Sequence, residues 1–162
     1  MSRLDSFIRR VTAQRDCLNK AADMLDGVDG PVLELGLGNG RTFDHLRSLF
    51  DEQDIFVFDR HVKAHPDCIP DEAHMLLGDF TETLPSALSR LPGKAKLAHC
   101  DIGSGDKSAS VSLAEKLGAV LPDLLAKGAL IVSDQPFDVA CWSAIDLPDT
   151  VSPGRYHIYR QD

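Results

Sequence analysis

Val32-Leu33-Glu34-Leu35-Gly36-Leu37-Gly38-Asn39-Gly40-Arg41-Thr42 is the stretch whose reading decides the fold. Pro31 to Leu35 has the apolar content of a short buried strand. Gly36, Gly38 and Gly40 then occupy alternate positions, so the chain turns sharply and brings bare backbone close to whatever lies above it. From Arg41 to Phe50 the apolar residues Phe43, Leu46, Leu49 and Phe50 return at helical spacing. A strand, a glycine loop and a helix in that order place unpaired N–H groups and a positive dipole end beside the loop, which suits a carboxylate or phosphate. The alternative is a tight strand-to-helix turn that binds nothing.

Working outward, the same alternation repeats. Arg3 to Leu25 is an amphipathic helix through Leu4, Phe7, Ile8, Val11, Leu18, Ala22 and Leu25, ended by Gly27 or Gly30. Ile55 to Phe58 is a continuous apolar run typical of an inner parallel strand. Arg60 to Glu72, with Pro66 and Pro70, reads as a loop. Met75 to Leu77 is a third strand stopped by Gly78-Asp79, and Thr83 to Leu91 a helix with Pro85 in its first turn. Leu97 to Asp101 is the fourth strand, followed by a Gly/Ser loop. Ser108 to Lys127 is a helical region kinked at Pro122 and closed by Gly128, and Ala129 to Val132 is the fifth strand. This is an α/β chain with a doubly wound, mostly parallel sheet. Trp142 to Leu147 and Arg155 to Arg160 have no helix between them, so an antiparallel hairpin is expected at one sheet edge. The chain divides into an N-terminal helix (1–27), a core (31–137) and a terminal hairpin (142–160) within one domain.

Composition removes several classes. A chain of 162 residues is one domain's length, and no apolar run reaches the ~18 residues of a membrane helix. No apolar h-region follows Arg9-Arg10, so no signal peptide is expected. Cys17, Cys68, Cys100 and Cys141 are scattered and fit free thiols, which points to a cytoplasmic protein. The net charge of −8 argues against a nucleic-acid partner. Arg3, Arg9, Arg10 and Arg15 are read first as the solvated face of the first helix.

Three acids stand where such sheets bind ligands, beyond the carboxyl ends of strands. Asp59 closes the second strand, ~20 residues past the glycine loop, a spacing that places an acid on ribose hydroxyls; it could equally cap a turn. Glu34 is a carboxylate inside an apolar strand, and its burial needs a partner. Asp79, in Leu77-Gly78-Asp79-Phe80, ends the third strand. A dinucleotide site of the G-x-G-x-x-G type would need glycine where Arg41 stands; here it falls one residue earlier, at Gly40.

The order Glu34-Leu35-Gly36-Leu37-Gly38-Asn39-Gly40, then Asp59, then Gly78-Asp79-Phe80, then Asp101 resembles motifs I to IV of the class I S-adenosylmethionine-dependent methyltransferases. The resemblance spans about Pro31 to Phe137. It implies a seven-stranded sheet with its last strand antiparallel and S-adenosyl-L-methionine as cofactor. Gly36, Leu37, Gly38, Asn39 and Gly40 would lie under the methionine part, with Glu34 ordering the loop and the methionine amino end. Asp59, with Arg60, would meet the ribose, and Gly78, Asp79 and Phe80 the adenine; Asp101 would border the cofactor. Asp101, Asp134 and Gln135 are similar to the metal set of catechol-type O-methyltransferases. However, Gln135 stands in place of Asn, and Ser104 in place of a lysine base. No metal is therefore expected; Mg²⁺ on Asp101, Asp134 and Gln135 is the minor reading, and the acids are taken to line the acceptor pocket.

Candidate catalytic bases are Asp101, His99 and Asp134, with Asp106, His61 and His65 further off; a histidine in such a place is more often a packing residue. No Asn/Asp-Pro-Pro-aromatic tetrapeptide and no Pro-Cys pair follows the fourth strand, which disfavours adenine-N and cytosine-C5 chemistry on DNA. The expectation is in-line methyl transfer to a small-molecule acceptor. The first helix and the 60–72 loop would form a lid, and Trp142 a pocket wall or core. A catalytically silent S-adenosylmethionine- or nucleotide-binding module or partner subunit is the second reading. The exposed sheet edge and the long first helix are compatible with a homodimer.

Overall fold

In the computed structural model, which describes all 162 residues, helix α1 runs Arg3–Met24. It starts on a reciprocal cap: Ser2 Oγ accepts the Asp5 N–H and the Asp5 carboxylate accepts the Ser2 N–H, each at 3.0 Å. The elements that follow are β1 (Val32–Leu35), α2 (Arg41–Leu49), β2 (Ile55–Asp59), β3 (Met75–Leu77), α3 (Phe80–Thr83), β4 (Ala95–Cys100), α4 (Lys107–Leu124), β5 (Leu125–Ser133), β6 (Trp142–Ala144) and β7 (His157–Gln161).

All seven strands join one sheet in the order β3-β2-β1-β4-β5-β7-β6. The first five are parallel; β7 runs antiparallel to β5, and β6 antiparallel to β7. The terminal hairpin is therefore present, with β7 inserted between β5 and β6. From β1 the chain winds outward to β3, then returns to β4 beside β1 and winds the other way. The reversal makes a switch point between β1 and β4, where doubly wound sheets open a crevice beyond the strand ends.

Alternating strand residues feed two cores, as a sheet covered on both faces requires. Val32, Val57, Leu97, Leu130 and Val132 pack under Cys17, Leu18, Phe43 and Leu46 of α1 and α2. Leu33, Leu35, Phe56, Phe58, Ala98 and Ile131 pack on the other side against Ala114, Leu117 and Leu121 of α4. Trp142 belongs to this second core: it is buried, packs edge-on against Phe137, and donates Nε1–H to Gln161 Oε1 at 3.0 Å. No helix is long and apolar enough to cross a membrane.

Several element boundaries differ from the sequence reading: the last two strands are Trp142–Ala144 and His157–Gln161, shorter than expected, and two further shifts have a clear local cause. The helix expected over Thr83 to Leu91 instead begins at Phe80 and stops at Thr83, followed by a 3₁₀ turn at Ala87–Ser89. Asp79 caps the earlier start by accepting the Thr81 N–H at 2.9 Å. Continued from that start, the helix would hold Pro85 in its interior, where it lacks the N–H for the next turn, so it stops at Thr83. The fifth strand begins at Leu125, not Ala129, so Gly128 does not close α4. Gly128 lies at φ +80° inside the strand, where the pairing with β4 shifts register. The α4 end is held by Gln161, whose amide donates to Pro122 O and Leu125 O at 2.9 Å.

Candidate functional site

The glycine loop leaves β1 at the centre of the sheet and enters α2 at Arg41. Gly36, Gly38 and Gly40 all have positive φ, +96°, +52° and +85°. Their surroundings differ. A Cβ on Gly36 would strike Asp101 O at 2.5 Å, and one on Gly40 would strike Cys68 Cβ and O at 2.5 and 2.7 Å. Gly36 thus lets β1 and β4 ends close together, and Gly40 seats the 60–72 segment against the loop. A Cβ on Gly38 would meet nothing within 4 Å. The middle of the loop therefore offers bare backbone to open space, a cradle fit for a ligand rather than for packing.

Asp59 holds this cradle. Its Oδ2 accepts the N–H of Leu37 at 2.8 Å and of Gly38 at 3.4 Å, and its Oδ1 accepts those of Arg60 and His61 at 2.6 and 3.3 Å. Asp79, one strand further out, accepts from Thr81 and pairs with the Arg60 guanidinium at 2.5 Å. The bonds from Thr81, then that from Arg60, hold its carboxyl below the usual range. Arg60, Asp79 and Thr81 face Ala109, Leu113 and Lys116 of α4 across a cavity of about 300 Å³.

Glu34 and His99 face each other across β1 and β4, both completely buried. Glu34 Oε1 lies 2.6 Å from His99 Nδ1, and His99 Nε2 lies 2.7 Å from the Tyr156 hydroxyl. Burial pushes the Glu34 carboxyl up, opposed by His99. Burial alone would lower His99, but the charge and hydrogen bond of Glu34 raise it instead. Both directions fit one proton retained between the two groups on folding. Tyr156 is raised well above its ordinary range by burial and stays a hydroxyl. Glu34 Oε2 has no hydrogen-bond partner.

On the far side of the switch point, Asp134 ends β5 and holds the loop after β4. Its two oxygens accept the N–H of Ile102 at 3.1 Å and of Gly103 at 2.8 Å. Burial raises its pKa, only partly offset by those amides. A Cβ on Gly103 would collide with Asp134 Oδ2 and come within 2.7 Å of Gln135 Nε2. Asp101 is half-buried and accepts Gln14 Nε2 of α1 on Oδ2 at 3.0 Å, which leaves Oδ1 without a protein partner. No group of three or more His, Cys, Asp or Glu side chains is arranged to hold a metal ion. Burial pushes Cys17 up to about 12 and raises Cys100 well above its ordinary value, so neither is a ready thiolate.

The structure brings Gly36 to Gly40, Asp59, Arg60, Asp79 and Asp101 to one sheet edge, with Phe80 opening α3 beside Asp79. His99 sits beneath that edge with both ring nitrogens engaged. Asp106 caps α4 through Ala109 N–H at 3.1 Å, and His65 accepts from Asp67 N–H, so both have local roles. Gln14 and Tyr156 are the residues that sequence reasoning missed. Gln14 did carry a signal: it is polar and falls on the apolar stripe between Val11 and Leu18. Tyr156 carried none, because its partner His99 is 57 residues away. A cavity of about 240 Å³ lies between α1 and α2, lined by Gln14, Arg15, Arg41, Thr42 and His45.

A family model for S-adenosyl-L-methionine methyltransferases matches residues 1–161. The crystal structure of an S-adenosyl-L-methionine methyl transferase from Silicibacter pomeroyi DSS-3 is 41% identical, covers 100% of this chain and 99% of its own, and superposes with a TM-score of 0.93. A Streptococcus mutans protein in complex with SAH shares the fold at 12% identity, 90% and 97% coverage and TM-score 0.52. So does an rRNA methylase from Streptococcus thermophilus, at 15% identity, 90% and 96% coverage and TM-score 0.52. No curated protein matches the chain.

Proposed function

The chain belongs to the S-adenosyl-L-methionine methyltransferase family, and from that premise we propose that it transfers the methyl group in line to a small-molecule acceptor held over the β1–β4 switch point. The observation that carries this reading is the cradle itself: a loop with its middle glycine open to space and its amides fixed from the side by Asp59. When bound, the cofactor supplies an electrophilic methyl on a sulfonium.

The chain's own residues supply position. Asp59 and the glycine backbone would fix the ribose and methionine ends, and the cavity between Arg60–Asp79 and α4 would take the adenine. Glu34 stiffens the loop from beneath through its bond to His99. Asp101 is the catalytic candidate with an uncommitted oxygen, and it would orient the acceptor or take its proton. His99 and Asp134 act as positioning residues, because their polar atoms are already engaged. The volumes that remain, about 240 and 270 Å³, suit a small acceptor.

Isothermal titration with SAH and with NAD, followed by product detection over an acceptor panel, tests the reading. SAH should bind and NAD should not, and Asp101→Asn should lower turnover more than SAH affinity. Binding of NAD alone would overturn the cofactor assignment. SAH binding without transfer to any acceptor would favour a silent binding subunit.

A further inference from the structure

α1 does more than cover the sheet. Gln14 meets Asp101 at the end of β4, and the residues after it, Cys17, Leu18, Ala21 and Leu25, are buried against the sheet on the way down to β1. The three turns before Gln14 therefore stand beyond the strand ends, projecting about 16 Å at 1.5 Å per residue. Their exposure agrees: every residue from Met1 to Arg10 is exposed. They form a wall beside the crevice, and the wall is cationic.

Arg3, Ser6, Phe7 and Arg10 of this wall line a cavity of about 270 Å³ together with Arg155. Arg155 comes from a distant segment and directly precedes Tyr156, the buried partner of His99, so its backbone is anchored at the sheet edge. Its Nε is buried and has no hydrogen-bond partner. Arg41, the first residue after the glycine loop, lies over the Phe7 ring at 5.3 Å, with Arg10 over the same ring at 5.9 Å. None of Arg3, Arg10, Arg41 and Arg155 forms an ion pair or donates a side-chain hydrogen bond. The ion-paired arginines of the chain are Arg15, Arg47 and Arg60. In a chain of net charge −8, three guanidinium groups from two separate segments line one cavity without a carboxylate among its lining residues, and Arg41 from a third segment lies beside them over Phe7.

A lone surface arginine needs no ligand, but convergence of this kind costs repulsion that a bound anion relieves. A forked guanidinium matches phosphate and carboxylate oxygens in pairs. The geometry points to an anion-recognition site on the acceptor side of the crevice, formed by Arg3, Arg10 and Arg155, that selects a small molecule carrying a phosphomonoester or equivalent dianion. This inference rests on the methyl-transfer reading and names the substrate class for it. The small cavity and the acidic remainder of the surface favour a small molecule over a nucleic-acid backbone, which would require a longer basic track.

The test uses the full chain saturated with SAH, titrated by calorimetry or NMR with inorganic phosphate, phenyl phosphate and, as the uncharged control, phenol. Both phosphates should bind saturably and phenol should not, with affinity falling as sodium chloride is raised. Arg10→Gln with Arg155→Gln should weaken phenyl phosphate at least 10-fold and leave SAH affinity within about 2-fold, as expected for two lost charge-assisted contacts. Retained SAH affinity also certifies the fold of the variant; if it is lost, Arg3→Gln with Arg10→Gln, both on the exposed wall, takes its place. Absence of phosphate binding, or binding unchanged in the variants, would overturn the anion site while leaving the cofactor assignment intact. Arginine-dependent binding of a short single-stranded RNA far tighter than phenyl phosphate would overturn the small-molecule class. Failure of SAH itself to bind would instead sink the methyl-transfer reading beneath it.

Discussion

Asp59 and Asp134 stand at the ends of β2 and β5, and each reaches sideways to hold the loop that follows the neighbouring strand. Asp59 binds the amides of Leu37 and Gly38 after β1; Asp134 binds those of Ile102 and Gly103 after β4. The device is the same, and its surroundings are not. At Gly38 the space above the loop is open, while at Gly103 it is filled by Asp134 and Gln135. Two halves of one sheet thus use one motif for different ends. The β1 loop is held rigid so that something else can approach it. The β4 loop is held rigid by closing on its own protein, and in the proposed function it would be a wall for the acceptor. Glu34 and His99, adjacent on β1 and β4, tie the two halves beneath both loops.

Breaking that tie should have the largest effect. His99→Leu leaves Glu34 buried beside an apolar side chain and the Tyr156 hydroxyl without its hydrogen-bond partner. Losing one partner of a buried pair costs about 3–5 kcal/mol, so urea denaturation should show a loss of that size. The thermal midpoint should fall by about 10 °C for a chain of this length. SAH affinity should fall as well, because both loops rest on the pair. A change in stability below about 1 kcal/mol would mean that the halves are tied by backbone pairing alone.

The next test separates the halves. Gly103→Ala forces a Cβ into the Asp134 carboxylate, an overpacking that should cost about 1–3 kcal/mol and leave SAH affinity nearly unchanged. Gly38→Ala meets no protein atom, so its stability cost should be limited to the strained backbone at φ +52°, roughly 1–2 kcal/mol. Its main effect should be on ligand: the added methyl enters the open cradle, and SAH should bind at least tenfold more weakly by calorimetry. Equal effects of the two substitutions on SAH binding would erase the distinction between an open and a closed loop.

The half that was legible in the sequence is the open one, for a physical reason. Three glycines, an acid at the end of the next strand and a second acid one strand on are local signals, each fixed by short-range turn chemistry. The alternation of strands and helices and the terminal hairpin were legible from apolar periodicity in the same way. The boundary of α3 was not, because Asp79 and Pro85 compete to set it and only the cap geometry decides. Nor was the start of β5, because a positive-φ glycine serves a bulge as well as it ends a helix. His99 read as a candidate base because its strand position was visible and its partners were not. Glu34 and Tyr156 lie 65 and 57 residues away and meet it only through strand register and the return of β7. The lock of Asp134 on the β4 loop was hidden likewise.

Protonation sharpens the comparison further. Burial raises the folded-state pKa of Asp134 above its ordinary value near 3.8. A raised carboxyl contributes stability that is fully present below its unfolded pKa and is lost as pH rises through the folded one. Asp134→Asn cannot titrate, and it loses one charged acceptor at a cost of about 1–3 kcal/mol. The gap between wild type and Asp134→Asn should therefore be widest below about pH 4 and narrow as pH increases, read from denaturation midpoints at each pH. A gap that widened with pH would show that the two loop amides outweigh burial, and that Asp134 is held as firmly ionised as an exposed cap.

The smallest effect belongs to the open half's outer edge. Arg60 is mostly exposed, with 69% of its side chain accessible, and its pair with Asp79 is a surface contact that solvent screens. Arg60→Ala should leave the unfolding midpoint unchanged within error, since Asp79 keeps Thr81 as its cap partner. What should change is salt dependence. In the wild type, Arg60 engages the carboxylate that borders the proposed adenine cavity, so raising salt loosens that carboxylate and alters SAH affinity. In the variant the pair is already gone, and the salt dependence of SAH binding should flatten. An unfolding midpoint that dropped clearly in Arg60→Ala would instead make the pair part of the structural frame, and the outer edge would then resemble the closed half rather than the open one.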